Sequence, residues 1–125
     1  MLLIGLLCGA PFGRAINRQA PAHIVNAWRV AHASLPAGGL LMLVVGAVLT
    51  PLAGGDAVKW LIALSLIVSS YAFCVSLPLA AIVGQRGLTP DGPWSGKLVY
   101  AGNLLGAATS LLAVFALIYA AFVSL

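Results

Sequence analysis

Residues 32–53, 60–83 and 98–123 contain no Asp, Glu, Lys or Arg. Each run exceeds the about 20 apolar residues that a helix needs to cross the roughly 30 Å hydrocarbon core of a bilayer. Backbone amides in lipid must be paired within the chain, so runs of this kind fold as transmembrane helices. Composition agrees, with 62% hydrophobic and 6% charged residues, against about 45–50% and about 25% in a soluble domain. Six Lys+Arg and two Asp+Glu cannot cover a water-facing surface, nor build the dense basic patch of a nucleic-acid binder. An ordinary soluble enzyme and a disordered tail are excluded on the same ground. The chain reads as one all-α transmembrane domain, residues 1–125, a bundle of four helices integral to the inner (plasma) membrane.

The expected spans are about 1–16, 32–53, 60–83 and 98–123. The first is short: at 1.5 Å per residue it covers roughly 20–24 Å. A cleaved signal peptide fits poorly, because no positive charge precedes the run and no small-x-small site follows it. A short helix in a thinned bilayer is a second reading. The preferred one is that the true start lies upstream and Met1 sits inside the first helix. Residues 14–31 read as a polar connector, with a short interfacial helix over 22–31 that begins after Pro21 and carries Trp28 at boundary depth. Gly54-Gly55-Asp56 reads as a tight turn. Pro36 and Pro78 are expected to kink their helices. Loops 14–31 and 84–97 hold Arg14, Arg18, Arg29, Arg86 and Lys97, and only Lys59 lies on the other side. Five basic residues against one place these two loops in the cytoplasm.

Few positions carry chemistry. Cys8 and Cys74 lie in apolar runs without a CxxC partner, and read as small buried hydrophobes. No acid or base sits deep in a span, which argues against a proton-coupled transporter, ion pump or exporter. There is no paired carboxylate, Ser/His/Asp set or phosphate-binding loop. His32, at the head of the second span, shares a helical face with Gly39 and Gly46 at i+7 and i+14. That face has room for a flat ligand, with neutral imidazole as an axial ligand for haem iron. The same glycines also suit close approach of another helix. Arg29, one turn before His32, is placed to pair with a haem propionate. Ser65, Ser69 and Ser76 fall within about 40° of one another on the third helix, either as a packing face or as the polar wall of a cavity. Gly102 and Gly106 have GxxxG spacing. Asn103 beside them serves either an interhelical hydrogen bond or a ligand.

Trp28-Arg29-Val30-Ala31-His32, then Gly39, then Arg86-Gly87-Leu88 form an ordered set that resembles the styrene oxide isomerase family, from about Trp28 to the C-terminus. The resemblance implies a four-helix membrane protein that assembles as a homotrimer and holds haem b between protomers. It implies ferric iron acting as a Lewis acid on the oxygen of a small apolar epoxide, which becomes an aldehyde by ring opening and a 1,2-shift. His32 matches the family's proximal haem ligand. The family has an Asn six residues after that His, where this chain has Gly38, and a Tyr nine residues before the Arg, where it has Leu77. Those two polar groups hold the substrate oxygen in the family, and Tyr71 and Asn103 are the candidate substitutes here. The rival expectation is a non-catalytic small membrane subunit that packs against a partner complex.

Overall fold

The computed structural model describes residues 1–125. Its helices are α1 (Leu2–Leu7), α2 (Gly9–Asn17), α3 (Ala22–Leu49), α4 (Gly55–Val83) and α5 (Trp94–Phe122). α1 and α2 form one rod with an interruption at Cys8, so the chain is an all-α bundle of four rods. α3, α4 and α5 are long and apolar enough to cross a membrane, while Leu2–Asn17 is shorter. Only 18 of 125 residues are buried, and Leu40, Leu41, Leu43, Phe115, Ile118 and Phe122 all point outward. In water such a surface would aggregate. Here the solvent for these side chains is lipid, and the protein is embedded in the bilayer.

The connector differs from expectation. α2 runs to Asn17 and α3 starts at Ala22, so only a tight turn separates them. Pro21 precedes the first helical residue, where a missing N–H is harmless, and its carbonyl accepts from Ile24 and Val25. Asn26 and Arg29 are polar, yet they lie on the outer turns of a continuous helix. His32 is therefore not the head of a helix. It lies ten residues into α3, about 15 Å along the rod.

Small residues set the packing. A Cβ on Gly5 would collide with the Pro36 ring and Leu35, and one on Gly9 would lie 3.0 Å from His32 Cε1. In return, a Cβ on Gly39 would lie 2.8 Å from Leu2 Cγ. The α1–α2 rod thus beds directly on α3. α4 and α5 approach as closely, with Gly102 against Ser76 and Gly106 against the Phe73 ring. Ser69 Oγ donates to the Gly106 carbonyl at 2.8 Å, so the serine stripe is the seam with α5. Ala31 and Leu35 pack with Cys8 at one level, and Val45, Ile62 and Ala120 pack together near the opposite end. The α4–α5 loop is held by Gly84 and Gly87, both at positive φ (68° and 59°). A side chain on Gly87 would also strike the α5 backbone at Tyr100, so this position requires glycine.

Candidate functional site

The imidazole of His32 is oriented by backbone. Its Nδ1 lies 2.9 Å from the carbonyl oxygen of Gly5. A carbonyl only accepts, so Nδ1 carries the proton, and in the neutral ring Nε2 keeps its lone pair. The acceptor is free because the first rod is interrupted. The helix breaks at Cys8, so Gly9, whose N–H would reach the Gly5 carbonyl in a continuous helix, opens α2 instead. The interruption hands a carbonyl to a histidine on the neighbouring helix. Gly9 leaves space for the ring, and Phe12 tilts against it with centroids 6.0 Å apart.

This is the usual support of a metal-binding histidine: the far nitrogen donates to a carbonyl, which fixes the tautomer and makes the near nitrogen more basic. No group of three or more His, Cys, Asp or Glu gathers anywhere in the chain. A metal taken here would bring most of its own ligands, as iron in a porphyrin does. The one-ligand geometry of His32 fits that case.

The face expected to extend from His32 through Gly39 to Gly46 is not one open groove. Leu2 covers Gly39, whereas nothing approaches Gly46 within 4 Å. The first rod occupies the upper part of that face, because Gly5 and Gly9 let it come close. A flat ligand on the whole stripe is therefore blocked within one protomer.

Two cavities lie between α3, α4 and α5. The inner one, about 370 Å³, is lined by apolar side chains such as Leu35, Met42 and Phe73, with Ser34, Ser69, Ser70 and Ser110. Gly38 and Leu77 both line it. The two positions where the chain departs from the resemblance thus meet in one chamber, and neither carries a polar side chain there. Ser69, Ser70 and Ser110 already donate to the carbonyls of Gly106, Ile67 and Ala107, which leaves Ser34 as the hydroxyl with its proton to spare. The outer cavity, about 320 Å³, is lined by polar residues over apolar ones and lies where α3 begins and α4 ends. Val30 and Leu77 belong to both cavities and form the partition.

The other expected site residues separate. Arg29 and Asn103 meet in the outer cavity. Asn103 Nδ2 donates to the Arg86 carbonyl at 3.3 Å, and its Oδ1 is buried without a partner. Tyr71 is 71% exposed and lines neither cavity. Tyr71 and Asn103 therefore do not converge on one substrate oxygen within a protomer. Gly5, Gly9 and Ser34 were missed by sequence reasoning. Gly5 and Gly9 carried a usable signal, a small-xxx-small spacing opposite a proline-bearing helix. Ser34 carried none, since an isolated serine in a span reads as neutral.

Compared with known proteins, residues 1–122 match the sequence model of styrene oxide isomerase. No curated protein and no solved structure matches the chain.

Proposed function

Because the chain belongs to the styrene oxide isomerase family, we propose that it is a haem b-binding membrane isomerase that converts a small apolar epoxide to an aldehyde, working as a homotrimer. The observation that carries this reading is the His32–Gly5 hydrogen bond, which engages Nδ1 and leaves the Nε2 lone pair for a metal. Ferric haem, when bound, would supply Lewis acidity to an epoxide oxygen. His32 would hold it, while Gly39, covered by Leu2, would not take part.

The inner cavity, which His32 does not line, is the substrate chamber, served by the haem of a neighbouring copy. Its apolar walls hold the hydrocarbon part and keep water from the strained ring and from the aldehyde. With Gly38 and Leu77 apolar, the hydroxyl of Ser34 takes over the hydrogen bond to the substrate oxygen. Asn103 lies beyond the partition and serves the outer cavity instead.

The test is an absorption spectrum of the protein purified in mild detergent from haem-supplemented cells. A stoichiometric Soret band is expected, lost in His32→Gln, which retains a donor for the Gly5 carbonyl, and kept in His23→Ala. A colourless unmutated protein would overturn the reading and favour a partner-complex subunit.

A further inference from the structure

The outer cavity has needs that the isomerase reading leaves unmet. Arg29 and Arg86 line it together with His23, Asn26, Gln85 and Asn103. The chain has two acids, Asp56 and Asp91. Asp56 lies at the opposite end, in the first turn of α4, and neither lines this cavity. Two arginines, each carrying five N–H donors, therefore line one space with no carboxylate among its lining residues. The first turn of α3 opens on the same space and holds no acid, so its amide dipoles add positive potential.

Asn103 adds a second demand. Its amide orientation is set by donation to the Arg86 carbonyl, because the flipped amide would put oxygen against oxygen. Oδ1 is left buried and without a donor. The cavity thus holds unanswered positive charge beside an amide oxygen without a donor. Its floor, Val30 and Leu77, is apolar, and it sits where the uncharged run of α4 ends. A free hydrogenphosphate satisfies the arginines and, through its own hydroxyl, Asn103, but leaves the apolar floor uncovered. An amphiphile whose phosphate sits next to a hydroxyl satisfies all three, and a bilayer supplies one.

We propose that this cavity is a binding site for an anionic glycerophospholipid with a hydroxyl-bearing headgroup. The phosphate lies between Arg29 and Arg86, the headgroup hydroxyl donates to Asn103 Oδ1, and the acyl chains follow the apolar side of α3 and α4. Basic pockets at helix ends recruit anionic lipids in this way, at about 1 kcal/mol per basic residue near the surface. The inference does not rest on haem or on catalysis.

The experiment is native mass spectrometry of the full chain, in haem-free and haem-loaded preparations. The probes are phosphatidylglycerol, phosphatidic acid and phosphatidylcholine, each with dioleoyl chains. One phosphatidylglycerol per chain is expected, retained about 25-fold better than phosphatidylcholine, or about fivefold for each arginine. Arg86→Gln should lower that preference about fivefold. Asn103→Leu should erase the preference for phosphatidylglycerol over phosphatidic acid while leaving both above phosphatidylcholine. Equal retention of phosphatidylglycerol and phosphatidylcholine, or an unchanged Arg86→Gln, overturns the proposal. So does displacement of the lipid by millimolar inorganic phosphate, which marks a simple anion site, or by haem loading, which assigns the arginines to propionates. A missing Soret band bears on the isomerase reading alone.

Discussion

At the scale of the residue, His32 has two tasks, and one of them is structural. The carbonyl of Gly5 is met by the His32 imidazole, and Gly5 is buried. Removing the imidazole strands it, and an unsatisfied buried acceptor costs about 1–3 kcal/mol. His32→Ala is therefore expected to lower the stability of the bundle by about that amount, measured by thermal unfolding in detergent, even without haem. His32→Gln should recover most of the loss because its amide donates. Equal stability of His32→Ala and the unmutated protein would mean that the hydrogen bond carries no net weight. Gly5 is constrained more tightly than its neighbours, since a Cβ there meets the closed ring of Pro36 rather than a flexible chain end. The pyrrolidine cannot rotate away, so even Gly5→Ala displaces the rod.

At the scale of the element, the two helix pairs are held by the same device of small residues set against bulk. At the α4–α5 seam, a Cβ on Gly106 would lie 2.9 Å from the Phe73 ring. Gly106→Leu is expected to cost about 1–3 kcal/mol through overpacking. Ser69→Ala, which only loses the bond to the Gly106 carbonyl, should cost about 0.6 kcal/mol, as interhelical hydrogen bonds in membranes do. Thermal melts of the two variants side by side check the order. A larger loss for Ser69→Ala would make the hydroxyl, not the close approach, the main tie. This seam was legible in the sequence, because the serine stripe and the GxxxG spacing both pointed to it. The start of α3 was not. Asn26 and Arg29 read as a break, but polar side chains at the outer turns of a long helix reach the interface and leave the backbone ladder intact. The oriented His32 was half legible. Its residue type and glycine-lined face suggested a ligand, but the carbonyl that orients it depends on an interruption at Cys8 in another rod.

At the scale of the whole molecule, Gly46 is informative because it touches nothing in its own chain. Gly46→Leu is expected to leave the protomer's melting temperature unchanged. If the open stripe below His32 faces a second copy, the same variant converts the trimer to monomer in native mass spectrometry. A trimer that persists places the contact elsewhere. Arg14, Arg18, Arg29, Arg86 and Lys97 all lie at one end of the bundle, and Lys59 at the other, where it donates to the Thr50 carbonyl. We expect the basic end in the cytoplasm, with a C-terminal reporter fusion behaving as exported. A cytoplasmic C-terminus would reverse the assignment.

The charge asymmetry also constrains symmetry. Inverting a copy would drag five cations outward against a membrane potential worth about 2.3 kcal/mol per charge per 100 mV. Copies inserted alike can be related only by an axis along the membrane normal, so a closed assembly is cyclic and never dihedral. In a trimer the contacts are then heterologous, one patch meeting a different patch on the next copy. Every Arg29–Arg86 mouth opens toward the same leaflet, and all copies sample the composition of that leaflet together.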